Sequence, residues 1–363
     1  MKVCIALAVA GMAFAPALVA TAQDPIHIGV LAPLSGPFAQ LGEQVEIGVR
    51  RATESLNIRI TALDDACDED RGLAAANQFV GAQVDFVVGG VCWRPAVSAR
   101  AVLETEGIPF YASGVRFGGL TDQSLGDTFR VNGRDDTQAA FLSELLLSGA
   151  LDAEMGRELA AANPVLLFTD GTYGRTLAEG MRDILSPSGI DFALFESFDP
   201  QTGTDRAAAR AEAEDPALII IFAGQADTAL MVSALRSRGV ASTILAGDSA
   251  LAREFPLLAQ GREEGILFSR PVDWRWFLSP EDRTALEQDG SSLAGLVLPS
   301  MAATQVGLAV QNGQLEWPFG TVLGPITFDD NGDANLPSFE LWEWRQGVIW
   351  RFGEVPEDLD LLQ

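Results

Sequence analysis

IHIGVLAPLSGPFAQLG, residues 26 to 42, opens as an apolar, β-branched run and breaks at Pro33. The run is continuous rather than alternating, so its front half reads as a strand buried on both faces. Pro33 to Pro37, with Gly36 between them, cannot extend that strand and forms a loop of small residues. Beyond it, Glu43 to Ser55 sets Val45, Ile47 and Val49 among charged residues at helical spacing. The unit is strand, loop, helix. In an open parallel sheet such a loop lies at the carboxyl ends of the strands, beside the unpaired N–H groups of a helix N-terminus, and is the first candidate for ligand contact.

The alternation continues along the chain. Asn57 to Ala62 reads as a strand, and the acidic cluster from Asp64 to Asp70 precedes a helix over Arg71 to Ala82. Carboxylates there favour the positive end of the helix dipole, which makes capping a better reading than cation binding. A strand over Val84 to Gly90, a loop through Trp93 to Pro95 and a helix to Glu104 follow; Ile108 to Tyr111 is the next strand, with a glycine-rich loop over Ala112 to Gly119. Phe129 to Asn132 forms a short strand, after which Gly133 to Asp136 reads as a crossing into a second lobe. There the rhythm restarts, with helices over Asp135 to Ser148, Tyr173 to Leu185, Arg206 to Glu214 and from Gly224 to Gly239. The intervening strands are Pro164 to Thr169, Phe192 to Phe195, Ala217 to Ala223, Thr243 to Ala246 and Gly265 to Ser269. Two such runs in 363 residues predict an α/β protein of two doubly wound parallel-sheet lobes. Asp329 to Gly332, between two β-rich segments, predicts a hairpin. Asp329, Asn331, Asp333 and Glu340 also match ligand positions of an EF-hand loop, but Ala334 stands where that loop turns on glycine and Pro337 stiffens it, so the hairpin is preferred.

Composition narrows the function. Met1-Lys2, the apolar run Val3 to Val19 and Ala20-Thr21-Ala22 read as a signal peptide over 1–22, cleaved before Gln23, so the protein is expected in the periplasm. A membrane anchor fits less well, since Gly11 and Pro16 interrupt a run that is marginal for the ~20 residues of a span. Cys4 leaves with the signal and lies away from the position that lipid attachment needs; Cys67 and Cys92 remain, and with a single histidine and no third sulfur they favour a disulfide over a metal site or a nucleophile. The formal charge of −26 is spread along the chain and disfavours nucleic acid and anionic lipid. Lys2 is the only lysine, which excludes Schiff-base chemistry and a P-loop in the mature chain. Gly247-Asp248-Ser249 resembles the nucleophile block of some serine esterases, yet the sole histidine, His27, sits in the first apolar strand and reads as a core residue. Neither an enzyme nor a cofactor is expected.

A family resemblance rests on particular residues. Leu34-Ser35-Gly36-Pro37 with Gln40 and Gly42, Asp64-Asp65-Ala66-Cys67-Asp68, Gly89 to Cys92 and Gly107-Ile108-Pro109 resemble the leucine/isoleucine/valine-binding proteins among the type I periplasmic binding proteins. Asp170-Gly171-Thr172-Tyr173-Gly174, Arg236-Ser237-Arg238-Gly239 and Gly324 to Asp329 continue the likeness over nearly the whole mature chain. The resemblance implies a Cys67–Cys92 bridge and two lobes joined by a hinge of three crossovers, near Val131, Ser269 and Leu323. On that basis lobe 1 comprises 23–133 with 269–323, lobe 2 comprises 134–268 with 324–350, and 351–363 is a C-terminal tail. It further implies a monomer that closes on an amino acid or related small carboxylate and delivers it to an inner-membrane ABC permease; a ligand sensor for a membrane receptor is the alternative, and a serine hydrolase a more distant one. The family holds the ligand α-carboxylate with hydroxyls, but the matching positions here carry Trp93 and Arg116. Ser113 in the same loop, Leu41 as an apolar wall, Tyr173, Gln225 where the family often has tyrosine, and Asp248 as acceptor of an ammonium group complete the expected ligand set. Asp122 is the expected internal partner if Arg116 does not meet the ligand.

Overall fold

The computed structural model describes residues 25–155, 164–252, 254–287 and 295–353. The expected signal peptide and most of the expected tail lie outside these residues.

The chain first builds β1 (His27–Ala32), α1 (Ala39–Ala52), β2 (Arg59–Asp64), α2 (Glu69–Ala82), β3 (Phe86–Gly89), α3 (Trp93–Thr105), β4 (Phe110–Ala112), α4 (Gly119–Asp122) and β5 (Thr128–Arg130). All five strands are parallel, in the order β2-β1-β3-β4-β5. Strand β1 is buried along its length: Ile28, Val30 and Ala32 enter one core and Leu31 the core on the opposite face. Between them Gly29 leaves room for Phe79, whose ring would lie 2.9 Å from an added Cβ.

The second run comprises α5 (Gln138–Leu147), α6 (Ala150–Met155), β6 (Val165–Thr169), α7 (Thr172–Leu185), β7 (Leu194–Phe198), α8 (Thr204–Ala213), β8 (Leu218–Phe222), α9 (Gln225–Ser237), β9 (Thr243–Ala246), α10 (Phe255–Leu258) and β10 (Ile266–Pro271). The chain ends with α11 (Pro280–Glu287), α12 (Val297–Gln311), β11 (Phe319–Thr321), β12 (Gly324–Ile326), β13 (Phe339–Arg345) and β14 (Val348–Arg351). The second sheet runs β14-β13-β10-β9-β8-β6-β7; β10 to β7 are parallel, while β13 and β14 add an antiparallel edge. Leu218, Ile220 and Phe222 of β8 face one core and Ile219 and Ile221 the other.

Three passages join the lobes and meet at one residue. A Cβ on Gly133 would lie 2.5 Å from Ser338 Cα, the Arg134 amide donates to Ser338 Oγ at 3.1 Å, and the Val272 amide donates to the Ser338 carbonyl. The second passage therefore follows Pro271, slightly beyond the expected 269. The third falls at Pro337–Ser338 rather than near Leu323, because Leu323, Ile326 and Phe328 pack into the first lobe's core. The segment over Asp329 to Gly332 reverses the chain as expected: the antiparallel Phe328–Ala334 bridge closes it, the Asn335 amide donates to the Thr327 carbonyl at 3.0 Å, and the turn docks on Arg130. A second hairpin, between β13 and β14, turns at Gln346-Gly347, both at positive φ.

Candidate functional site

In a doubly wound sheet the crevice opens where the strand order reverses. In the first lobe this is between β1 and β3, and their outgoing loops carry Pro33 to Phe38 and Gly90 to Trp93. The first loop is held by Asp64, whose carboxylate accepts from the Leu34 amide at 2.7 Å, the Ser35 hydroxyl at 2.6 Å, the Ala66 amide at 2.9 Å and the Arg71 guanidinium at 2.6 Å. Burial opposes ionisation of Asp64, but these donors outweigh it and hold the carboxyl at about 2. Asp68 supplies the expected helix cap, accepting from the Arg71 amide at 3.0 Å. Cys67 and Cys92 are bridged, with 5.3 Å between their Cα atoms, and the bridge places the start of α3 beside the start of α2.

A cavity of about 420 Å³ opens next to that bridge. Phe38, Trp93, Arg94, Arg116, Phe117 and Asp135 are among its lining. Trp93 packs on Phe117 with ring centroids 5.0 Å apart, and the Arg94 guanidinium lies over the Trp93 ring at 5.2 Å. Arg116 also reaches the cavity, but its Nε donates to Asp135 and its guanidinium lies 5.0 Å from the Phe339 ring centroid. Its partner is thus not Asp122, which pairs with Arg134 at 2.7 Å because the 133–136 crossing brings Arg134 over α4. Ser113 is turned away from the cavity: fully buried, it shares a 2.8 Å hydrogen bond with Ser300 of α12. Leu41 is half-buried on the first turn of α1 and is not among the residues lining this cavity.

In the second lobe the strand order reverses between β6 and β8, whose outgoing loops lead to Tyr173 and Gln225. Tyr173 donates to Asp248 at 2.6 Å, and the same carboxylate oxygen accepts from Gln138 at 3.1 Å; Gln138 also donates to Ser269 at 2.8 Å. Burial and then the Asp248 charge raise the Tyr173 pKa, so the phenol stays protonated and donates. Gly247 makes this approach feasible, since a Cβ there would stand 2.1 Å from the Tyr173 hydroxyl. Gln225 is half-buried at the start of α9. Ser249 is 3.1 Å from the Thr228 hydroxyl, and His27 lies inside the first lobe, 2.7 Å from Thr61, so the two do not form a nucleophile and base.

The structure therefore gathers Trp93 with Arg116 and Tyr173 with Asp248. Arg94, Phe117, Asp135 and Gln138 were not anticipated. Arg94 had a local signal, because a cation in the first turn of a helix opposes the dipole and has to be explained by something else nearby.

Two doubly wound lobes, three passages between them and apposable loops at the strand ends define a binding protein of the type I periplasmic class. The chain belongs to the periplasmic binding protein family, whose profile matches residues 25–311. It is 26% identical over 356 residues to Leu/Ile/Val-binding protein homolog 3 of Brucella melitensis, covering 90% of this chain and 94% of the relative. Among solved structures it is similar to the branched-chain amino acid transporter substrate binding protein LivJ of Streptococcus pneumoniae in complex with isoleucine, with a TM-score of 0.60 at 18% identity, covering 90% of this chain and 97% of that one. A solute binding protein from R. palustris in complex with 4-hydroxybenzoate gives a TM-score of 0.60 at 15% identity, covering 90% and 95%. The protein is thus a periplasmic binding protein, similar over nearly its whole length to Leu/Ile/Val-binding proteins.

Proposed function

We propose that this chain is the periplasmic solute-binding component of an ABC importer, exported by residues 1–22, and that it closes on a small carboxylate between its lobes. The observation that carries the reading is the placement of two chemically distinct loop clusters at the carboxyl ends of two parallel sheets. The first-lobe cavity offers aromatic faces and two guanidinium groups against one carboxylate; the second-lobe cluster offers the Tyr173–Asp248 pair. Relatives with this fold hold isoleucine in one case and 4-hydroxybenzoate in another, two ligands that share a carboxylate. Trp93, Arg94, Tyr173, Gln225 and Asp248 are the residues we assign to the cleft.

A ligand contacting both lobes stabilises the closed arrangement by its differential affinity, so binding should both compact the protein and raise its melting temperature. Thermal-shift screening of amino acids, keto acids and aromatic acids, followed by small-angle scattering with each hit, tests this. The expected result is a smaller radius of gyration in the bound state. Binding with an unchanged radius, or no hit across the panel, would refute the reading.

A further inference from the structure

Resting on that reading of the cleft, we propose that the preferred solute is an aromatic carboxylate, its acid group met by Arg94 and its ring by Trp93, Phe117 and Phe38. The apolar half of the argument is exposure. Phe38, Trp93 and Phe117 are 47%, 47% and 42% exposed, and all three line one cavity. Large apolar rings left in water as a contiguous patch mark a binding surface. The cavity volume of about 420 Å³ is within the span of roughly 300 to 1,000 Å³ that small-molecule sites occupy. Flat ring faces favour an aryl group over a branched alkyl group of similar area, because ring–ring contacts add stabilisation beyond burial.

The charged half concerns which arginine reads the acid. Arg116 is already engaged by Asp135, so a ligand carboxylate there would have to displace an internal one. Arg94 has no carboxylate partner among the described residues, in a chain where acidic residues outnumber basic ones by 50 to 24. It also stands in the first turn of α3, where the helix dipole disfavours it. On closure its guanidinium would lose water, and a ligand carboxylate is the group that compensates this.

The test uses the full mature chain and isothermal titration with two matched pairs: phenylalanine against leucine, and 3-phenylpropanoate against 4-methylpentanoate. The amide 3-phenylpropanamide removes the charge. We expect the aryl member of at least one pair to bind about tenfold or more tightly than its alkyl counterpart, and the amide to bind about 30-fold more weakly than its acid. Arg94→Gln should weaken the acid about 30-fold without changing the amide, with Arg94→Lys intermediate, and Trp93→Leu should erase the aryl preference. An unchanged melting temperature of the unliganded variants certifies folding. Equal or tighter binding of the alkyl members, or an equal loss for acid and amide in Arg94→Gln, overturns the inference. If leucine binds and compacts the protein while no aryl acid binds, the inference fails and the solute-binding function stands; if nothing in the wider panel binds, both fail.

Discussion

Asp64 and Asp65 are neighbours with opposite ionisation behaviour, and the difference follows from their partners. Asp64 gathers donors from four residues and holds its charge, whereas Asp65 is fully buried, receives the Cys67 amide at 2.8 Å on one oxygen, and leaves the other without a hydrogen bond among the described residues. Burial foremost, with the Asp64 charge adding to it, raises the Asp65 carboxyl from 3.8 to about 6. Between pH 3.8 and about 6 the folded protein holds a proton that the unfolded chain has released, so stability falls as pH rises through that window and levels off above it. A shift of this size corresponds to about 3 kcal/mol. Asp64 acts in the opposite sense: its contribution is complete above pH 3.8 and disappears as pH falls toward about 2. Urea unfolding of Asp65→Asn should accordingly show a shallower decline than the parent between pH 4 and 6 and a gain over it at pH 7. A variant that follows the parent curve would mean that Asp65 does not titrate there.

Among the elements, α2 and α3 form the wall behind the cavity. They approach so closely that a Cβ on Gly72 would lie 2.5 Å from Pro95 Cα, and the Cys67–Cys92 bridge ties their starts together across 25 residues of chain. Closing a loop of that length stabilises by roughly 3 to 4 kcal/mol on the chain-entropy account. The double substitution Cys67→Ala with Cys92→Ala should therefore lower unfolding free energy by about that amount. Because Trp93 adjoins Cys92, it should also weaken ligand binding more than an equally destabilising core change such as Ile219→Ala. Parity between the two would show that the bridge serves stability alone. Helix α12 supplies the opposite wall of the first-lobe core: Gly48 of α1 accommodates the Val297 carbonyl, 2.5 Å from where its Cβ would be, and Gly307 seats the Phe86 ring.

For the whole molecule, an ionic network fixes the first crossover onto the first lobe. Arg130 is fully buried and its Nε donates to Asp333 at 2.8 Å; Asp333 also receives Arg134 at 2.7 Å and Thr121 at 3.0 Å. Arg134 is shared further with Asp122 and Asp136. Removing the charge from Asp333 strands a buried guanidinium, a loss of about 3 to 5 kcal/mol. Asp136 is 51% exposed and one of three acids on Arg134, so its loss should stay within about 1 kcal/mol. Denaturant unfolding of Asp333→Asn beside Asp136→Asn checks the ranking, and similar losses would show that the network is distributed rather than centred on Asp333.

Much of this architecture was legible in the residues themselves. The unbroken apolar runs of β1 and β8 specify strands buried on both faces, and the strand–loop–helix alternation specifies two parallel sheets, because side-chain period and burial are local properties of the chain. Helix α12 escaped that reading for the same reason: it is apolar on every side, so it has no polar face to mark a period. The pairings were beyond local reach. Asp135 rather than Asp122 holds Arg116, Ser113 turns to Ser300 some 187 residues away, Gln138 joins Tyr173 at Asp248, and the third passage waits until Ser338. Each depends on which of several chemically equivalent partners the packed lobes bring within hydrogen-bond distance, and only the tertiary structure decides that.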